Sequence, residues 1–198
     1  MQTEQLDLWR SNFGRDYTNR NDHEKPARVD MWRSLLDGIQ PRRILEVGCN
    51  VGWNLEYLRR LGVPELCGVE PGAYALARAQ QRAPAITVVH GSAFALPFDA
   101  GWADLVFTSG VLIHISPDTI DAALDEMYRV SKRWIVAIEY DHPVEEEIHY
   151  RGLDAALWKR DHGALWKRRY PDLVERRTLS PADGYDHCTA HLFEKVTP

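Results

Sequence analysis

The segment Arg43-Ile44-Leu45-Glu46-Val47-Gly48-Cys49-Asn50-Val51-Gly52-Trp53-Asn54-Leu55 most tightly constrains what this chain can fold into. Ile44, Leu45 and Val47 form an apolar run with the length of a buried strand. Leu55, Tyr57, Leu58 and Leu61 carry the spacing of a helix's inner face. Gly48 and Gly52 stand between the two. A strand passing through glycines into a helix is a nucleotide-cradling unit. Gly48 permits a sharp turn, Gly52 lets the helix start approach a ligand, and the free N–H groups of the first turn face that ligand.

The pattern repeats downstream. Leu66 to Val69 reads as a second strand ending in Glu70, Ala73 to Arg82 as a helix stopped before Pro84, and Ile86 to Val89 as a third strand. Asp104 to Phe107 reads as a fourth strand. A helix starts at Ser116-Pro117-Asp118 and runs to about Val130, and Trp134 to Ile138 is the fifth strand. Strands alternating with helices of this length imply an α/β fold with a parallel sheet and right-handed crossovers. The runs Arg176 to Leu179 and Thr189 to Val196, with a turn over Pro181, Asp183 and Gly184 between them, predict a closing antiparallel pair. Residues 141–174, rich in His, Glu, Arg and Trp, predict a helical insertion near the strand ends. At the start, Trp9, Phe13 and Tyr17 at spacing four predict one amphipathic helix, which either packs on the core or serves as a lid whose end, Tyr17 to Asn21, closes over a ligand. A second helix spans about Pro26 to Leu36. The whole, 1–198, is expected to be a single domain, with 1–41 its N-terminal helical part and 141–174 a substrate cap.

Composition excludes several functions. A chain of 198 residues that is 44% apolar and holds seven tryptophans can bury a sizeable core, and a net charge of −5 argues against a general nucleic-acid binder. No apolar run approaches 18 residues, so no membrane span is expected. Three cysteines, Cys49, Cys67 and Cys188, without CxxC spacing predict buried free thiols in a reducing, cytoplasmic setting. His187 and His191 flank Cys188, but on a strand residues four apart lie about 13 Å from each other, so no metal is expected. Lys167, Arg168 and Arg169 with Arg176 and Arg177 read as a solvated face.

In an open parallel sheet ligands bind beyond the carboxyl ends of the strands. That criterion selects Glu46 to Gly52, Glu70, Ser92 to Phe94, Gly110 to His114, and Glu139-Tyr140. Glu70, 22 residues after Gly48, suits the two hydroxyls of a ribose. A dinucleotide would need G-x-G-x-x-G, and the spacing here is Glu46-x-Gly48-x-x-x-Gly52. An acid just ahead of the glycines would oppose a pyrophosphate; it suits a cofactor bearing an amino group and a sulfonium.

These residues resemble the class I S-adenosylmethionine-dependent methyltransferases from about Arg43 to Tyr140. Glu46 to Gly52 matches that family's first motif, with Asn50 where a third glycine is common. Glu70, with Pro71 after it, matches the ribose acid. Gly91-Ser92-Ala93 with Leu96-Pro97-Phe98 matches the adenine-side motif, with Ser92 in place of the usual aspartate, and Gly110 to Ile115 matches the segment after the fourth strand. The resemblance implies a Rossmann-like fold with helices on both faces of the sheet. It also implies a cofactor site of Tyr17, Arg20, Asn21, Glu46, Gly48, Asn50, Gly52, Glu70, Pro71, Ser92, Ala93, Phe94 and Gly110. A narrower resemblance, to methylases associated with pseudaminic acid biosynthesis, rests on Trp9, Phe13-Gly14, Tyr17, Arg20-Asn21, Tyr150-Arg151-Gly152, Lys159-Arg160-Asp161 and Leu192 to Lys195. Together they imply methyl transfer to an O or N atom of a small polar metabolite, in a sugar pathway, by a monomer or homodimer. His114 and Tyr140 are the catalytic candidates, and His114, Tyr140, Tyr150, Arg151 and Lys159 the substrate-binding ones; His114 is either a base or a structural contact. The alternatives are an S-adenosylmethionine-binding sensor or partner subunit without turnover, and, against the glycine spacing, a nucleotide-binding oxidoreductase.

Overall fold

The computed structural model describes residues 1–181 and 187–196. From Arg43 onward the strand–helix alternation is realised in order: β1 (Arg43–Val47), α4 (Trp53–Arg60), β2 (Glu65–Glu70), α5 (Ala73–Arg82), β3 (Thr87–His90), β4 (Ala103–Ser109), α6 (Ile120–Val130) and β5 (Ser131–Glu139). Three helices precede them, α1 (Glu4–Arg10), α2 (Asn12–Asn21) and α3 (Ala27–Leu35). After β5 come the two-residue strands β6 (Glu146–Glu147) and β7 (Trp158–Lys159), then α7 (His162–Arg169), β8 (Leu173–Leu179) and β9 (Thr189–Lys195).

Seven strands form one sheet in the order β3-β2-β1-β4-β5-β9-β8. The first five run parallel, and β9 lies antiparallel to β5 and to β8. Alternation along the buried strands divides the core in two. Ile44, Leu105 and Val136 face Trp32, Leu55 and Leu58 from α3 and α4, whereas Leu45, Val106 and Ile135 face Leu124, Met127 and Trp166 from α6 and α7. Helices therefore cover both faces, as a parallel sheet requires. The strand order reverses between β1 and β4, which opens a crevice at their carboxyl ends.

Three expectations from the sequence are corrected. The N-terminal segment is two helices, not one: Ser11 ends α1 and caps α2, its Oγ accepting from Phe13 N–H at 3.2 Å. A Cβ on Gly14 would lie 1.9 Å from the Trp9 carbonyl oxygen, so the tight reversal needs glycine there. The helix expected from Pro117 begins at Ile120. Residues 117–119 form a turn in which the Ser116 and Thr119 hydroxyls meet at 2.9 Å. Segment 141–174 is helical only over Leu165 and its neighbours in α7; the rest is the β6–β7 ribbon and loops, and its last residues already belong to β8. The closing pair β8–β9 is present, and most of the expected turn between its strands lies outside the described residues. All three cysteines are buried and free. Among the described residues, no helix is long and apolar enough to cross a membrane.

Candidate active site

The β1–α4 turn achieves its curvature with three left-handed residues in five, Gly48 (φ 75°), Asn50 (φ 47°) and Gly52 (φ 80°). Asparagine tolerates this region better than most residues, and here its backbone N–H donates to Glu70 Oε2 at 2.8 Å. A Cβ on Gly48 would sit 2.6 Å from the Val111 side chain, so the turn must stay bare to pack on the loop after β4.

These strand ends floor a cavity of about 900 Å³, within the range of small-molecule sites. Its roof is the α1–α2 pair. Asp22, following α2, receives Arg78 and Arg82 of α5, and Trp53 Nε1 at 3.2 Å. The latch joins the N-terminal helices to the cofactor-side helices. Arg82 also lies over the Trp53 ring at 4.0 Å.

Two carboxylates face this cavity from a setting that disfavours their charge. Glu46 on β1 is almost fully buried. Its Oε1 accepts from Asn54 Nδ2 at 2.7 Å, while Oε2 has no hydrogen-bond partner among the described residues. Burial pushes its pKa up to about 8, against the opposing pull of Asn54 and of Arg28. Glu70 on β2 accepts from the Asn50 and Gly72 backbone N–H groups, both at 2.8 Å, and burial pushes it up to about 7. Each oxygen is held by one N–H and keeps a further lone pair for a ligand. Arg28 donates from Nη1 to Asn54 Oδ1 at 3.0 Å and to Ser109 Oγ at 3.1 Å, linking α3 to the crevice.

At the other end of the cavity stands His114, in a 310 turn over Leu112–His114. Glu139, at the end of β5, anchors this turn by accepting from Val111 N–H and Leu112 N–H, both at 3.2 Å. His114 Nδ1 lies 2.6 Å from the Ala156 carbonyl, which can only accept, so Nδ1 carries the proton and Nε2 the lone pair. Burial lowers its pKa to about 4. Trp9, Tyr17 and Tyr150 surround it, with ring centroids 4.6, 6.4 and 5.4 Å away.

Of the residues selected from sequence, Tyr17, Asn21, Glu46, Gly48, Asn50, Glu70, Pro71, Ser92, Ala93, Phe94, Gly110, His114, Tyr140, Tyr150 and Arg151 line this one cavity. Three do not. Arg20 projects from the solvent side of α2, and Lys159 belongs to the β6–β7 ribbon. Gly52 caps α4 beneath the surface. Trp9, Arg28, Trp53, Asn54 and Tyr74 also line it and were missed. Asn54 carried a signal: it is a polar residue in the first turn of the helix that follows Gly52.

Residues 44–133 match the methyltransferase domain family. An uncharacterised methyltransferase of Synechocystis is 33% identical over 91 residues, which are 46% of this chain and 42% of that protein. The chain spans less than half the length of the curated relatives it matches. Among solved structures, 1,6-didemethyltoxoflavin-N1-methyltransferase of Burkholderia thailandensis superposes with a TM-score of 0.74 at 16% identity, covering 98% of this chain and 90% of that one. Magnesium protoporphyrin IX methyltransferase of Synechocystis superposes with 0.72 at 13%, covering 98% and 99%. The first was solved with S-adenosylhomocysteine and the second with S-adenosylmethionine. The fold is that of Rossmann-like methyltransferases. The family match supports methyl transfer as the reaction class and S-adenosylmethionine as the cofactor.

The cavity fits such a cofactor on its own evidence. The unpartnered, buried Glu46 Oε2 suits an ammonium group, the N–H-oriented Glu70 carboxylate suits a vicinal diol, and a Cβ on Gly110 would point into open space.

Proposed function

We propose that this chain transfers the methyl group of S-adenosylmethionine to an O or N atom of a small polar metabolite. The observation that carries the reading is the pair Glu46 and Glu70: two buried carboxylates on adjacent strands, facing one cavity, with Glu46 Oε2 unbonded among the described residues. Glu46, with Arg28 and Asn54, would hold the amino-acid end of the cofactor and Glu70 its ribose. Ser92, Ala93 and Phe94 would flank the base. The cofactor supplies an electrophilic methyl on a positively charged sulfur.

The chain's own residues do the rest. The α1–α2 roof excludes water, and latching by Asp22 makes it a lid over a filled site. His114 is fixed as the Nδ1–H tautomer, so Nε2 would accept the O–H or N–H of the acceptor and orient its lone pair toward the methyl. With a pKa near 4 it is a weak base, suited to positioning and to taking a proton only once methylation has made that proton acidic. Tyr140 and Tyr150 would complete the acceptor side. A sugar-pathway acceptor is consistent with the short motifs at Trp9, Tyr150-Arg151-Gly152 and Leu192 to Lys195, which resemble the pseudaminic acid-associated methylases.

The test is thermal unfolding with S-adenosylmethionine, S-adenosylhomocysteine and NADH, followed by a screen of polar acceptors with methyl-labelled cofactor. A ligand at 100 times its Kd stabilises by about 2.7 kcal/mol. Stabilisation by the two adenosyl ligands together with label transfer is expected. Stabilisation without transfer to any acceptor would favour a sensor, and stabilisation by NADH alone would sink the reading.

A further inference from the structure

The cavity is lined by cations that have no carboxylate partner among the described residues. In this chain of net charge −5, arginines generally meet carboxylates: Arg78 and Arg82 meet Asp22, Arg169 meets Asp125, Arg133 and Arg176 meet Glu194, and Arg60 meets Glu56. Arg10, Arg15 and Arg151 all line the cavity, are exposed, and have no carboxylate partner among the described residues. Arg15 lies over the Tyr74 ring at 4.9 Å and Arg10 donates to Gln2 Oε1 at 3.2 Å.

Arg151 adds a second, independent feature. Tyr150 and Leu153 exchange backbone hydrogen bonds, 2.9 Å from Tyr150 N–H and 3.1 Å from Leu153 N–H, around a two-residue loop. Both loop residues are left-handed, Arg151 at φ 51° and Gly152 at φ 82°. A tight turn of this hand calls for Asn or Gly at its first position, because a long side chain there is strained. The strained arginine stands next to Tyr150, whose ring packs 5.4 Å from His114 and 6.2 Å from Phe13. Its guanidinium lies 5.7 Å over that ring. A cation held in an unfavourable backbone state, unpaired, on the acceptor wall points from strain to function.

We infer that the methyl acceptor is an anion whose carboxylate or phosphate group is bound by Arg151, with Arg10 and Arg15 adding to the attraction from the lid. This rests on the methyl-transfer reading of the same cavity and names the class of its acceptor. Arg151 presents a planar fork that matches either group, and cations lining the cavity without a carboxylate partner among the described residues raise the local concentration of anions over neutral metabolites.

The probes are inorganic phosphate, acetate and neutral glycerol, titrated into the chain saturated with S-adenosylhomocysteine. Binding is followed by NMR at the backbone amides of Tyr150, Arg151 and Arg15. Saturable shifts with at least one of the anions and none with glycerol are expected, and the preferred anion tells phosphorylated from carboxylated acceptors. Arg151→Gly is expected to weaken that anion about tenfold while leaving Tm unchanged or higher, since glycine relieves the left-handed strain. If neither anion saturates these amides, or Arg151→Gly binds as the wild type does, the inference is overturned. A fall in Tm for Arg151→Gly with unaltered anion binding would make Arg151 a structural residue and overturn it as well. The anion titration is equally readable without S-adenosylhomocysteine. Failure of that ligand to bind therefore counts against the cofactor reading, and failure of the anions counts against the acceptor class.

Discussion

Two sets of acids on the same sheet and its strand ends behave in opposite ways. On β1 and β2, Glu46 and Glu70 are pushed up by burial, to about 8 and about 7, because burial outweighs the hydrogen bonds they accept and the pull of Arg28 on Glu46. Beyond β5, Asp141 and Glu175 are held well below the usual carboxylate range, Glu175 at about 2. Burial would raise these two also. It is overcome by hydrogen bonds from His162 and His191 to Asp141, and from Lys167, Thr178 and His191 to Glu175. His191 lies between the two, Nε2 2.6 Å from Asp141 Oδ2 and Nδ1 2.7 Å from Glu175 Oε1. With both ring nitrogens donating, it is an imidazolium, and its pKa is raised. One set is complete and ties β9 to β8 and to the loop after β5. In the other, Glu46 keeps one oxygen unbonded among the described residues, and both acids face the cavity.

The comparison is broken most forcefully at Glu70. Glu70→Ala removes charge-assisted hydrogen bonds to the ligand and frees the Asn50 and Gly72 N–H groups. The expected loss in S-adenosylhomocysteine affinity is about 100-fold, or ~2.7 kcal/mol, read by calorimetry, with little change in Tm. His191→Ala should do the reverse. It removes the imidazolium between Asp141 and Glu175, leaving them only His162 and Lys167 as ion-pair partners, and should cost about 2 kcal/mol of stability while leaving cofactor affinity intact. At this chain length that lowers Tm by about 4–8 °C in a thermal scan. The pH signs also differ. The His191 contribution is present below its ordinary value and is lost as pH rises through its raised folded value. The Asp141 and Glu175 contributions are lost as pH falls through their lowered ones. Glu46 and Glu70, raised in the fold, instead reduce stability progressively as pH rises from their unfolded value of 4.5 to about 8. A smaller effect is expected at the lid. Asp22→Asn weakens the latch to Arg78 and Arg82 by ~1 kcal/mol and should speed S-adenosylhomocysteine release about fivefold in stopped flow.

Much of this was legible in the sequence, for physical reasons that also explain the misses. Strands β1, β2, β4 and β5 are buried on both faces, so they read as apolar runs, and Glu46 and Glu70 stood out as acids at the ends of such runs. The Asn50 position was readable because few residues other than glycine accept a left-handed turn. The break at Ser11 was not, since a three-member aromatic stripe at spacing four fits one helix as well as two helices folded about Gly14. The 141–174 segment has helical composition without helical period, and its ribbon is set by tertiary contacts such as Asp141 to His162 and His191. Arg20 and Lys159 were selected by motif, and motifs do not say which way a side chain points. Arg28 reaches the cavity from α3, an element far away in sequence, for which no local signal exists.

Glu46 and Glu70 are proposed to receive the ammonium and ribose groups of an adenosyl ligand. This assignment is tested most directly by titrating S-adenosylhomocysteine calorimetrically in two buffers of different ionisation enthalpy across neutral pH. A protonated Glu46 must ionise to hold the ligand's ammonium group. Binding at pH 7 should therefore release about one proton, and affinity should rise through pH 8, the value to which burial pushes Glu46, and level off only above it. Binding that releases no proton and keeps the same affinity from pH 6 to 9, or no binding at all, would contradict it.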